Sequence, residues 1–137
     1  MLLVFDEMYP IELAKGLEIL EEANDRSPYK VEVTHIEKLA GKKGTPDEEV
    51  IELVGRKNGI VLTKDTDFRR LKHYYPLYKK NKTGVIFFHS TSHKVVFWDM
   101  VVAFINHWEK IKEVALKEDP PFVHKFGVKG NVSRLEF

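Results

Sequence analysis

Short apolar runs alternate with segments of helical period along this chain. Leu2–Phe5, roughly Tyr29–His35, Ile60–Thr63 and Gly84–Phe88 read as buried strands. A first helix starts near Pro10, carries Leu13, Ala14, Leu17 and Leu20 as an apolar stripe, and ends by Asn24–Pro28. A second opens at Thr45-Pro46-Asp47-Glu48, where Thr45 can cap and Glu48 can complete a capping box. It runs to about Lys57 and stops at Asn58-Gly59. A short helical turn through Phe68 and Leu71 follows, then a loop from Tyr74 to Lys82 around Pro76. The final helix runs from about Ser92 to Lys117, with Val101, Phe104, Ile105, Trp108 and Ile111 on its buried side. Pro120-Pro121 ends it, and the tail to Phe137 reads as a small hairpin. Strands alternating with helices predict an α/β fold with a mainly parallel sheet. The 137 residues suit a single domain, with its core over about 1–117 and a tail over 118–137.

Acids follow two of the strands directly. Leu2–Phe5 runs into Asp6 and Glu7, and Ile60–Thr63 into Asp65 and Asp67. In an open α/β sheet, ligands bind beyond the carboxyl ends of the strands. Several carboxylates at one edge repel each other, and a cation holds such a group together. The pattern therefore points to a metal site and to chemistry on phosphate esters.

Charge sharpens this picture. Residues 1–67 hold 9 Lys/Arg and 15 Asp/Glu, a net −6, whereas residues 68–137 hold 13 and 6, a net +7. No acid occurs from Phe68 to Trp98, a window with Arg69, Arg70, Lys72, Lys79, Lys80, Lys82 and Lys94 among Tyr74, Tyr75 and Tyr78. An acidic cluster beside a basic, aromatic stretch suits attack on a bound polyanion; a solvated loop and helix face is the plainer alternative. The chain has no cysteine, which excludes disulfides, thiolate zinc sites and cysteine nucleophiles. No signal peptide or membrane span is legible, and a cytoplasmic location is expected.

Each acid has a structural alternative. Asp6 sits where a ligand would, or where it would favour a helix start. Glu7 points the other way in extended chain and is kept in reserve. Asp47 shares a helical stripe with Val50, Ile51 and Val54, so it faces inward, while Glu48 has the capping task. Either Asp65 or Asp67 could cap the turn that follows them. Thr63 could hydrogen-bond a carboxylate. The six histidines show no compact zinc spacing, so an oxygen-only site for Mg²⁺ or Mn²⁺ is favoured; His89 could lie at its edge.

Taken together, FDE after the first strand, G-x-x-D-E-E at Gly44–Glu49 and TKDTDF at Thr63–Phe68 resemble the PIN-like nucleases over about residues 1–90. The likeness is greatest to their short DUF5615 branch, related to VapC-type toxins. It implies a three-layer α/β/α fold with four or five mainly parallel strands. It implies one or two Mg²⁺ or Mn²⁺ ions on Asp6, Asp47, Asp65 and Asp67. It also implies ribonuclease activity, often as the toxin of a toxin–antitoxin pair. The branch commonly has Asn two residues after the first Asp, where this chain has Met8. On this basis the expected function is metal-dependent hydrolysis of RNA, with Arg69, Arg70, Lys72, Lys79, Lys80 and Lys82 on the backbone. RNA and an antitoxin are the expected partners, and the final helix offers a face for a homodimer. Two rivals stand beside it: an inactive RNA- or protein-binding module, and an aspartyl-phosphate receiver or phosphatase.

Overall fold

The computed structural model describes residues 1–65, 67–90 and 96–137. The four expected strands form as β1 (Leu2–Phe5), β2 (Glu32–His35), β3 (Ile60–Asp65) and β4 (Gly84–His89). They lie in the order β2-β1-β3-β4 and pair in parallel throughout. Parallel neighbours need crossovers, and helices supply them. These are α1 (Ile11–Ala23) between β1 and β2, α2 (Ile36–Ala40) and α3 (Asp47–Arg56) between β2 and β3, and α4 (Arg69–Lys80) between β3 and β4. The last helix, α5 (Phe97–Lys117), leads to β5 (Val123–Phe126), which adds to β4 in parallel, and β6 (Ser133–Leu135) closes antiparallel on β5.

The sheet is apolar on both faces, as a sheet buried twice must be. Leu3, Phe5, Ile60, Leu62, Ile86 and Phe88 pack under α1 and α5. Val4, Val61, Val85 and Phe87 pack under α3 and α4. The result is the expected α/β/α sandwich, but with six strands rather than four or five. The extra strands come from the tail, whose short, polar segments carry little strand pattern. Phe122 anchors it: a Cβ on Gly84 would overlap its ring, so only glycine lets the tail pack against the start of β4.

Other expectations need correction. Tyr74–Lys82 is not a loop: α4 continues through Pro76 to Lys80. A proline there removes one helical bond, yet Leu71 and Tyr78 are buried beneath the helix, and that packing overrides propensity. The capping box at Thr45 does not form; Pro46 is the capping residue, and the Thr45 hydroxyl is buried without a hydrogen-bond partner. Leu20 and Ile105, placed on buried faces by phase, are more than half exposed. Glu21 and Lys112 are buried instead, and Glu21 bonds both Lys112 and Trp108. The expected helix start at Ser92 lies outside the described residues. No helix among those described is long and apolar enough to cross a membrane.

Candidate active site

The chain leaves β1 toward β2 on one side and later returns to place β3 on the other. Connections therefore diverge between β1 and β3, and this is where an open sheet forms a crevice beyond its strand ends. Asp6 is the first residue past β1, and its amide donates to the carbonyl of Leu62 at 3.0 Å, holding it against β3. Alternation along a strand puts Asp6 on the face of Val4, and Thr63 and Asp65 on the face of Val61. Both valines lie in the cluster under α3 and α4. The first turns of those helices, with Asp47 and Arg70, cover the crevice.

The contacts follow from that placement. Asp6 is buried and accepts from the Met8 amide at 2.9 Å. It is also hydrogen-bonded by the side chain of Thr63. Burial pushes its carboxyl from the ordinary 3.8 up to about 6, against the opposing effects of Thr63, Arg70 and the Met8 amide. Arg70 donates to the Thr63 hydroxyl at 2.6 Å, to the carbonyl of Lys64 at 3.0 Å and to Asp47 at 3.4 Å. Burial lowers its pKa, but the charges of Asp6, Asp47 and Asp65 (with Tyr78) outweigh this, and the net shift is upward. Arg70 thus touches Asp47 and also feels the charges of Asp6 and Asp65. Tyr9 supports the floor by bonding the carbonyl of Thr63. Glu7 accepts from the amides of Gly44 at 2.6 Å and Thr45 at 3.2 Å, which pins the loop that delivers Asp47.

The remaining expected residues lie elsewhere. Asp67 is exposed and faces Arg69, which binds it through its side chain at 2.6 Å and its amide at 3.2 Å. Phe68, in the left-handed region at φ 68°, turns the chain between Asp65 and α4. Glu48 accepts from the Tyr74 hydroxyl on the surface. Lys72, Lys79 and Lys80 share the exposed side of α4 with Arg69, whereas Lys82 follows the helix; Arg70 alone among these bases turns inward. His89 stacks on Phe68 and bonds the carbonyl of Asp65 at 3.3 Å, so it borders the crevice. His35 instead caps α2 and bonds the carbonyl of Tyr9.

A family model described as a PIN like domain matches residues 1–90. The chain belongs to the PIN-like family. PIN-like domains are generally nucleases, act on nucleic acid and usually use divalent metals. No curated protein and no solved structure matches the chain. In this PIN-like chain the matched span holds β1 to β4 and every acid of the crevice, while α5, β5 and β6 lie beyond it.

Asp6, Asp47 and Asp65 supply only oxygen donors, which is the set a hard divalent cation takes. The Asp6 carboxyl is pushed up to about 6 chiefly because burial strips water from it, with a smaller push from Asp47, and a bound cation would favour its charged form. By chemistry these residues fit such an ion. They are not gathered into a finished cage: among the described residues no three His, Asp or Glu side chains converge on one point. The inward turn of Arg70 and the loop-holding task of Glu7 escape a reading of the sequence.

Proposed function

We propose that this PIN-like protein is a Mg²⁺- or Mn²⁺-dependent endoribonuclease and the toxin of a toxin–antitoxin pair. The observation that supports it is Asp6, a buried carboxylate at the β1/β3 divergence that feels the charge of Asp47 and shares the influence of Arg70 with Asp47 and Asp65. Asp6, Asp47 and Asp65 would hold the cation. Asp67, paired with Arg69 on the rim, reaches it only if that pair opens. When bound, such a cation lowers the pKa of water and offsets charge on phosphate oxygens. The chain does the rest. Thr63 fixes the orientation of Asp6, and Glu7 holds the loop that aims Asp47. Lys72, Lys79 and Lys80, on the exposed face of α4, would hold the RNA backbone without reading its sequence.

The test is cleavage of RNA by purified protein with Mn²⁺, alongside Asp6→Asn and Asp65→Asn. Variants that cleave as fast as the parent would assign the activity to a contaminant. The toxin reading requires that expression arrest growth, that Asp6→Asn relieve the arrest, and that a neighbouring small gene do so too. Trp98 and Ile105, exposed along α5, support a face for a second copy, which light scattering at rising concentration would detect.

A further inference from the structure

Arg70 stands in an electrostatically awkward place. It lies in the first turn of α4, where the helix dipole disfavours a cation, and that turn holds no acid of its own. Its neighbours Arg69 and Lys72 are exposed, as expected of bases at a helix start. Arg70 instead turns inward, with its side chain only 28% exposed, and makes three hydrogen bonds: to Thr63, to the carbonyl of Lys64 and to Asp47. Thr63 joins it to Asp6, since the same hydroxyl side chain that accepts from Arg70 bonds the Asp6 carboxylate. One positive charge thus contacts Asp47, is joined to Asp6 through Thr63, and feels the charge of Asp65. The cluster keeps a net negative charge, and a divalent ion would neutralise it better than a guanidinium. With 28% of its side chain exposed, Arg70 is not sealed into the crevice.

We propose that Arg70 is the resident cation of the acidic crevice and competes with the divalent metal, which binds only as the guanidinium withdraws. This inference rests on the reading of the crevice as a metal site. Arg70 then sets a threshold: affinity is reduced by the fraction of molecules in which the crevice is open. If the arginine occupies the crevice nine times in ten, its removal tightens binding roughly tenfold. A purely structural arginine makes the opposite prediction, because its loss would loosen Asp47 and Thr63 and weaken any metal binding.

The experiment is calorimetric titration of Mn²⁺ alone, without RNA, into the parent protein, Arg70→Gln, Arg70→Lys and the double variant Asp6→Asn/Arg70→Gln. The expected result is tighter binding in Arg70→Gln by roughly tenfold, an intermediate value in Arg70→Lys, and loss in the double variant. Equal or weaker binding in Arg70→Gln, with binding by the parent intact, would overturn the competition while leaving the metal site standing. No binding by any of them at millimolar Mn²⁺ would overturn both. Should Arg70→Gln fail to fold, Arg70→Lys carries the test: tighter binding than the parent supports the competition, and unchanged or weaker binding overturns it.

Discussion

Two clusters of buried charge in this molecule differ in how they are closed. Lys112 on α5 is fully buried and bonds Glu21 at 2.8 Å, Glu109 at 3.0 Å and Ser27 at 3.1 Å. Trp108 donates to the same Glu21 at 3.2 Å. Each side chain named there has a partner inside the protein, the buried Lys112 ammonium spends its three donors on them, and the cluster joins α1 to α5. Around Arg70, one cation contacts Asp47 and feels the charges of Asp6 and Asp65, Asp6 is pushed up to about 6, and the Arg70 side chain stays partly exposed. Burial of charge alone does not mark a functional site. Burial with incomplete compensation beside an opening does.

This contrast can be broken experimentally. The largest effect is expected at Asp6: Asp6→Asn should lower RNA cleavage by about a hundredfold or more, since loss even of groups that only orient metal ligands costs 10–100-fold. Lys112→Met should leave Glu21 buried without its cation and cost about 3–5 kcal/mol in a urea titration, with cleavage by the folded fraction unchanged. Asp6 should behave in the opposite sense for stability. Its folded pKa lies above the unfolded value, so the metal-free folded protein binds the extra proton between about pH 4 and 6. Stability should therefore fall as pH rises through that window, by up to about 3 kcal/mol. Asp6→Asn should abolish this slope and be the more stable protein at pH 7. A parent curve that rises over the same window would refute the raised pKa of Asp6. Glu7→Gln should cost about 1 kcal/mol and slow cleavage by loosening the loop before Asp47. The smallest effect is expected at the rim: Asp67→Asn should leave the melting midpoint unmoved and reduce cleavage far less than Asp6→Asn.

Much of this arrangement was legible in the sequence, and the failures have physical causes. The runs at β1, β3 and β4 are apolar because the sheet is covered on both faces, and such runs are hard to misplace. Helical phase put Asp47 on the inner side of α3 with Val50 and Val54, where it meets Arg70. Asp67 keeps an amide bond to Asp65 at 3.3 Å, but its carboxylate is engaged by Arg69 on the rim, because Phe68 adopts a left-handed conformation and α4 begins at once. The length of α4 was hidden by Pro76, which local propensity counts heavily and tertiary packing overrides. With α4 taken as one turn, Arg70 had no reason to face inward. For the tail, the hairpin reading carried no sign that β5 also joins β4 in parallel, because so short a run does not encode its pairing partner. Leu20 and Ile105 were misplaced because Glu21 and Lys112 occupy the buried side that apolar residues were expected to fill.

The Phe122 ring seated on Gly84 has a practical meaning for anyone trimming this protein. The family match ends at residue 90, which invites a shortened version at that point. Such a cut would strip β5 from β4 and leave Gly84–His89, a six-residue run of mostly apolar side chains, with an unpaired edge. Edges of that kind recruit other chains. The segment that lies beyond the family match is thus what keeps the matched part from adhering to copies of itself, and a shortened protein should be recovered mainly as aggregate.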